Sequence, residues 1–257
     1  MKLTAQQVYD RLVNVEKIKT QVGQITFSFG SVNIVVKQRD VVGNLVQEWL
    51  QGWFDKQGIE YDINDNSQMP PDFFLDTANH KINLLEVKAF NRSASAAFDI
   101  ADFRAYVEEL IREPWMLNVD YLIFGYDMAE NGDVTIKDIW LKKVWEISRP
   151  METWPINLQV KQNVVHKIRP ATWYSTKQSK FRIFETKEDF LSAVEETIWQ
   201  NDKTRPLSNQ WKRSFQKAWK DYYGTDIEFP RWNDIKDKYI NPSKYIEYLE
   251  KRYPESL

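Results

Sequence analysis

Three side chains with the potential for hydrolytic chemistry lie close together in the first half of the sequence. Pro71-Asp72 introduces one short apolar run, and fourteen residues after Asp72 a second apolar run carries Glu86-Val87-Lys88. Alternate side chains of a strand share a face, so Glu86 and Lys88 point to one side and Val87 to the other. If the two runs pair as antiparallel strands, Asp72 lies beside Glu86. The spacing therefore predicts two carboxylates and one lysine at a single point of a sheet.

This trio suits metal-assisted hydrolysis of a phosphodiester. Mg²⁺ takes one or two carboxylates together with waters and substrate phosphate, and the expected protein ligands are Asp72, Glu86 and the backbone carbonyl of Val87. A bound metal ion lowers the pKa of a coordinated water and neutralises phosphate charge. Lys88 is expected to stay protonated between the two acids, orient the water and stabilise the transition state. The alternative is that Glu86 and Lys88 form only a structural ion pair on an edge strand.

Helices and hairpins surround these residues in the sequence. Thr4 and Gln7 form a capping box that begins a predicted helix over 5–19. Gly30-Ser31 predicts a tight turn between alternating runs at 24–29 and 32–38. The further predicted elements are a helix capped by Asp40 and ended by Gly58, a strand pair at 73–75 and 82–90, a helix capped by Asp99, a strand pair at 121–126 and 134–140, and helices at 187–200 and 209–223. This order predicts an α/β fold in which a mixed β-sheet is flanked by helices.

The composition excludes several classes of site. Hydrophobic residues make up 42% and charged residues 28% of the 257 residues, as in a globular protein. The absence of cysteine excludes disulfides, thiolate zinc sites and cysteine nucleophiles, and two histidines are too few for a multi-histidine metal centre. No apolar stretch approaches the roughly 20 residues of a membrane-spanning helix, and no signal peptide is recognised. We therefore expect a cytoplasmic protein without membrane association.

Charge is distributed unevenly along the chain. Residues 1–152 carry 16 basic and 23 acidic side chains, whereas residues 153–257 carry 19 and 14. Between Thr153 and Phe184 there is no acid, although six basic residues fall there. An acidic front and a basic back suit an enzyme that holds metal in one half and a polyanion with the other. We expect a catalytic core at 1–150 and, at 151–257, a basic, aromatic-rich DNA-recognition and helical extension of the same compact body.

The Pro71-Asp72 and Glu86-Val87-Lys88 segments together resemble the PD-(D/E)xK signature of restriction-endonuclease-like nucleases. Every position of that signature is occupied by a matching residue. The resemblance implies a restriction-endonuclease-like core, Mg²⁺ as cofactor, and a further acid on the preceding helix, for which Glu48 is the candidate and Gln47 the alternative. The order of elements resembles a Type II restriction endonuclease, and the tract from Trp154 to Tyr174 more faintly resembles enzymes that cut GGNNCC.

Two segments are candidates for DNA contact. The loop after the catalytic strand carries Asn91, Arg92 and Ser93, and Arg and Asn side chains discriminate guanine and adenine in the major groove. The acid-free tract mixes cations with amides, which suits phosphate and base contact. Its candidate residues are Lys161, Gln162, Asn163, Lys167, Arg169, Lys177 and Lys180. The alternatives are an ordinary strand-to-helix loop and a solvated strand pair.

These observations predict a site-specific, Mg²⁺-dependent endonuclease that cuts double-stranded DNA in a restriction-modification system. A repair or recombination nuclease of the same fold is the alternative enzyme, and a catalytically silent DNA-binding module is the alternative from another class. A cognate DNA methyltransferase is expected as a genomic partner and not as a complex. One site hydrolyses one strand per event, so a homodimer that matches the two-fold symmetry of a palindromic site is expected. A monomer that nicks each strand in turn is the alternative.

Overall fold

The computed structural model describes residues 1–66, 69–162, 164–175 and 179–244, which form two compact units. Unit 1 comprises the described residues of Met1–Phe98 and Asn118–Lys143. Unit 2 comprises Asp99–Leu117 and the described residues from Val144 onward. This division differs from the predicted boundary at residue 150. The segment 99–117 belongs to unit 2 although it precedes the last strands of unit 1.

The strands and helices of the described residues are numbered in chain order. The strands are β1 (Val22–Gln24), β2 (Thr26–Phe29), β3 (Val32–Val35), β4 (Asp62–Ile63), β5 (Phe73–Phe74), β6 (Leu84–Asn91), β7 (Ala101–Asp102), β8 (Asp120–Met128), β9 (Asp133–Lys143), β10 (Leu158–Lys161) and β11 (Val164–Ile168). The α-helices are α1 (Ala5–Asp10), α2 (Val42–Gln57), α3 (Phe103–Leu110), α4 (Lys187–Gln200), α5 (Arg205–Tyr223) and α6 (Trp232–Ile235). Among the described residues, none of the helices has the length and apolar character needed to cross a bilayer.

The centre of unit 1 is a mixed six-stranded sheet with the order β1-β9-β8-β6-β5-β4. Strands β6 and β8 are parallel, and the other neighbouring pairs are antiparallel. The predicted mixed α/β core is therefore confirmed. Leu122 and Phe124 on β8 and Leu85 and Val87 on β6 are buried in one cluster of apolar side chains. Because these strands are buried, they hold their polar residues in fixed positions.

Helix α2 packs an apolar stripe into the same cluster. Val46, Leu50 and Phe54 are buried there, and their spacing matches one face of a helix. The helix ends at Gly58, which adopts the left-handed conformation that was predicted (φ 62°). Asp40 does not cap this helix; it lies in a 3₁₀ turn at Arg39–Val41 that precedes it.

Two other helices differ from their predictions, one in its continuation and one in its capping residue. The capping box of Thr4 and Gln7 is present, but the helix predicted over 5–19 is α1 followed by a π-helical turn at Arg11–Val15 and a 3₁₀ turn at Ile18–Thr20. Helix α3 is capped by Asp102 and not by Asp99, because the Asp102 side chain lies three residues before the N–H of Ala105 and accepts from it at 3.0 Å.

Unit 2 contains a three-stranded antiparallel sheet, β10-β11-β7, and the helices α3 to α6. Helix α4 has its predicted bounds, whereas α5 begins four residues before the predicted start, with Pro206 in its first turn. The aromatic stripe of α5 is buried through Trp211, Phe215 and Trp219. The stripe therefore belongs to the core of this unit.

Candidate active site

Strand pairing brings Asp72 beside the Glu86-Val87-Lys88 segment. In the β5–β6 register Phe73 lies opposite Leu85, so Asp72 falls at the next position, opposite Glu86. The Asp72 carboxylate accepts a hydrogen bond at Oδ2 from the backbone N–H of Val87, 2.7 Å away. This bond takes the place of the backbone hydrogen bond that Val87 would receive if β5 extended further alongside β6. The convergence predicted from the sequence is present.

Glu86 and Lys88 form a close ion pair on the same strand. The Nζ atom of Lys88 lies 2.6 Å from Oε1 of Glu86, and the Lys88 side chain is 22% exposed. Glu86 itself is 4% exposed. Its Oε2 atom is buried and has no hydrogen-bond partner among the described residues. A buried carboxylate oxygen without a donor is energetically costly, which favours a site whose cation is supplied by a ligand.

Burial changes the protonation of both acids. Burial, together with the nearby Asp72 charge, raises the pKa of Glu86 to about 7, although the charge of Lys88 and hydrogen bonds with Lys88 and the Asp72 backbone oppose this rise. The pKa of Asp72 is also raised by burial, although hydrogen bonds from Val87 and Gln47 and the charge of Lys88 oppose this effect. Two acids with raised pKa values beside one lysine are typical of a functional site.

The residue that α2 contributes to this site is Gln47. Its side chain hydrogen-bonds to the Asp72 carboxylate, whereas Glu48 is exposed. The orientation of α2 explains why Gln47, and not Glu48, contacts Asp72. A Cβ atom on Gly43 would lie 3.8 Å from the carbonyl oxygen of Ala89 on β6, and Gln47 follows Gly43 by one helical turn. The structure therefore brings the weaker sequence candidate to the acids. Gly43 lies on the helix face that packs on β6, although a Cβ atom there would make only an ordinary van der Waals contact.

The protein groups fit a magnesium ion. Within the described ranges no cluster of three His, Cys, Asp or Glu residues suitable for a metal is found. Mg²⁺ needs only one or two carboxylates when waters and phosphate complete its shell. The N–H and C=O of a strand residue project to the same side, so the carbonyl of Val87 faces the same edge as its N–H, which bonds Asp72. Asp72, Glu86 and this carbonyl are thus the donors available to a cation.

The predicted DNA-contact loop of unit 1 is held in place by the protein. Asn91 Oδ1 accepts hydrogen bonds from the N–H of Ser93 at 2.9 Å and from its hydroxyl at 2.7 Å. Arg92 Nε donates to Asp138 Oδ2 at 2.7 Å, and its guanidinium lies 5.6 Å from the ring centre of Trp140. The loop follows β6 directly and is therefore fixed close to the acids on that strand.

The cations predicted to contact DNA from unit 2 differ in their environment. Lys161 and Gln162 are exposed at the end of β10. The other three described cations have acidic partners: Lys167 with Asp102 at 3.7 Å, Arg169 with Asp99, and Lys180 with Glu152 at 2.8 Å. Asn163 and Lys177 lie outside the described residues. The tract lacks acids in sequence, but the fold supplies them from elsewhere in unit 2.

Known proteins similar to this chain are restriction enzymes. A family model for the NgoBV restriction endonuclease matches residues 2–239. The Type II restriction enzyme NlaIV of Neisseria lactamica is 58% identical over 239 residues, which cover 93% of this chain and 98% of that enzyme. The Type II restriction enzyme NgoBV of Neisseria gonorrhoeae is 54% identical over 162 residues, 63% of this chain and 92% of that enzyme.

The structural comparison covers the same share of the chain. A solved structure of the NlaIV restriction endonuclease matches with a TM-score of 0.91 and 58% identity, covering 93% of this chain and 98% of the other. Sequence family, overall identity and backbone thus point to one class of enzyme. The chain belongs to the NgoBV restriction endonuclease family and is a Type II restriction endonuclease with an α/β restriction-endonuclease-like core.

Proposed function

We propose that this enzyme cuts double-stranded DNA by hydrolysing one strand at each copy of the site built from Asp72, Glu86, Val87 and Lys88, with Mg²⁺ as cofactor. The observation that carries this proposal is the buried Oε2 of Glu86, which has no partner among the described residues although Asp72 and Lys88 lie beside it. A bound Mg²⁺ supplies charge neutralisation at the phosphate and activation of a water. Asp72, Glu86 and the Val87 carbonyl would hold the ion.

Lys88 and Gln47 have complementary tasks in this proposal. The 2.6 Å contact with Glu86 holds the Lys88 ammonium beside the acids, where the scissile phosphate is proposed to bind. There Lys88 orients the attacking water and balances the charge that develops on the phosphate oxygens. Gln47 orients the Asp72 carboxylate through its hydrogen bond. Glu48, the first candidate from the sequence, is exposed and is not needed for this arrangement.

DNA binding is proposed to use the loop that follows β6 and the basic tract of unit 2. Asn91, Arg92 and Ser93 are proposed to face base edges, and Lys161 and Gln162 the backbone. Three further cations are proposed to contribute less to DNA affinity: Lys167, Arg169 and Lys180. In the DNA-free protein each forms an ion pair with an acid, and a phosphate must replace that acid. Asn163 and Lys177 remain proposed contacts on sequence grounds alone.

The biological setting follows from the enzyme class. We propose that the enzyme works in the cytoplasm as a homodimer, within a restriction-modification system whose DNA methyltransferase protects the host sites. The resemblance of the sequence to enzymes that cut GGNNCC makes this the candidate recognition sequence. The repair-nuclease alternative and the silent DNA-binding alternative have no observation in their favour beyond the shared fold.

Digestion of a sequenced plasmid tests the proposal. The wild-type protein with Mg²⁺ is expected to release discrete fragments with ends at GGNNCC, and EDTA is expected to prevent cutting. Asp72→Asn and Glu86→Gln are expected to bind the same sites without cutting them. Glu130→Gln, which changes an exposed acid in the β8–β9 turn, serves as the matched control and should cut normally. Undiminished cutting in EDTA, or by Asp72→Asn, would contradict the proposed chemistry.

A further inference from the structure

The hairpin formed by β2 and β3 has one wholly apolar face. Its register places Phe27 opposite Ile34 and Phe29 opposite Val32, and directly opposed residues of an antiparallel pair point to the same side. The exposed fractions are 58% for Phe27, 80% for Phe29, 61% for Val32 and 51% for Ile34. Alternating strands of this kind normally lay their apolar face on a core. Here that face is largely open to solvent.

The other face of the hairpin is polar and its base is anchored. Ser28 donates to Asn33 across the strands at 2.9 Å on that face. At the base, a Cβ atom on Gly132 would fall 2.5 Å from Cγ1 of Val35, so the β8–β9 turn packs tightly there. Gly30 supplies the positive φ (58°) that the turn requires. The apolar face is thus presented by a well-supported element of unit 1.

The exposed area is large enough to matter for association. Side chains of this size have accessible areas on the order of 150–200 Å², so the four exposed fractions leave about 400–500 Å² of apolar surface. That matches the largest apolar patch on a typical monomer, which is often functional. Two such faces in contact would bury about 900 Å², just below the roughly 1,000 Å² that is the lower limit for a specific interface. The patch and its copy therefore suffice for most of a dimer contact.

The absence of charged residues in the hairpin indicates the kind of partner it binds. No charged residue occurs from Val22 to Val36. A surface that binds DNA needs cations to replace the counterions of the phosphates, and this face has none. An uncharged apolar face is complementary to another of its own kind. A second copy of the chain offers such a face, and a two-fold axis lets each face contact the other in the same way.

We propose that the apolar face of the β2–β3 hairpin, formed by Phe27, Phe29, Val32 and Ile34, is the surface through which two copies of this chain associate. This proposal rests on the homodimer of the proposed function and names its interface. Six residues separate β3 from helix α2, which carries Gln47, and the Gln47 side chain hydrogen-bonds to Asp72. The hairpin contact therefore fixes the distance between two acid sites, which the spacing of the cuts on opposite DNA strands requires.

Single-cysteine cross-linking tests the contact, since the natural chain has no cysteine. Four variants place a thiol on the apolar face: Phe27→Cys, Phe29→Cys, Val32→Cys and Ile34→Cys. Two matched controls, Thr26→Cys and Ser28→Cys, place it on the polar face of the same hairpin. A short bis-maleimide is expected to link at least one apolar-face variant into covalent dimers without DNA or metal, and neither control. Equal linking on both faces, or none on the apolar face, would overturn the proposal.

Sedimentation equilibrium of the metal-free, DNA-free protein gives a second test. The wild type is expected to be a dimer, and Phe27→Ser combined with Phe29→Ser is expected to raise the dissociation constant at least 100-fold. Val15→Ser, at a position 70% exposed on another element, should leave it unchanged. Both phenylalanines are exposed, so the circular dichroism spectrum should not change. A dimer that persists in the double variant would refute this interface.

Further outcomes distinguish this proposal from a DNA-binding role of the hairpin and from the proposed function. A wild type that is monomeric, with a double variant that loses only DNA affinity, would assign the hairpin to DNA and overturn the proposal. A dimer that dissociates in the double variant, but cuts no DNA in the wild type, would leave the interface standing and contradict the proposed function instead.

Discussion

Replacing Glu86 with glutamine should make the metal-free protein more stable. Glu86 is 4% exposed and one of its oxygens lacks a partner among the described residues, so burial of its charge is poorly compensated. Glutamine has nearly the same shape, and its carbonyl oxygen can still accept a hydrogen bond from Lys88. The variant therefore removes the charge and little else. A site that binds a cation lowers the stability of the metal-free protein, and the bound cation restores it.

The expected magnitude follows from the pKa of Glu86. Burial raises it from 4.5 to about 7, and one pKa unit corresponds to about 1.4 kcal/mol. The ionised side chain therefore costs the fold about 3 kcal/mol well above pH 7. The buried amide of glutamine offsets part of this gain, so we expect about 2 kcal/mol in the free energy of unfolding. For a chain of this length that is a rise of about 4–8 °C in the thermal midpoint.

The sign of the pH dependence is fixed by the direction of the shift. Between about pH 4.5 and pH 7 the folded wild type binds more protons than the unfolded chain, so its stability falls as pH rises through this window. The advantage of Glu86→Gln should accordingly be largest at pH 8 and shrink toward pH 5. Urea unfolding in EDTA at both values measures it, with Glu130→Gln as the exposed control. A variant no more stable than the wild type at pH 8 would refute the reasoning.

Three further predictions concern metal, catalysis and DNA. Mg²⁺ should stabilise the wild type more than Glu86→Gln, as measured by the shift in thermal midpoint, because an ion that binds only the folded state adds its binding free energy. Lys88→Ala should cut at least 100-fold more slowly yet bind cognate DNA in Ca²⁺, and a wild-type cleavage rate would contradict its role. Lys161→Gln should lower the slope of log affinity against log salt by about 0.9; Lys167→Gln should lower it less, since Lys167 is paired with Asp102, and an equal change would contradict this ranking.

The strand pair that carries the acids was predictable because its signals are local. Apolar runs bounded by turns and the alternation of side chains were enough to place Asp72 next to Glu86, and the observed register agrees. The left-handed Gly58 and the bounds of α4 were predictable for the same reason, since each depends on residues within one or two helical turns. The sequence predicted a mixed sheet, but it did not predict the parallel pairing of β6 with β8.

The predictions that differed from the structure depend on contacts distant in sequence. Gln47 and Glu48 are adjacent on a helix, and the packing of α2 against β6 decides which of them meets Asp72. The acidic partners of Lys167 and Arg169 precede them by 65 and 70 residues, because Asp102 and Asp99 belong to the segment that joins unit 2 early. A count of charges along the chain cannot reveal such pairs.

The same physical contrast distinguishes the two functional surfaces of unit 1. At the acid site, charge is buried without full compensation, which a cation and a phosphate can supply. At the hairpin, apolar surface is exposed without a covering core, which a second copy can supply. In the proposed enzyme each feature lowers the stability of the isolated chain, and a different proposed partner would relieve each of them. Because α2 follows the hairpin and contacts Asp72 through Gln47, the proposed association at the hairpin would also position the acid site. An enzyme that must cut two strands needs this connection, and a single chain that nicks one strand does not.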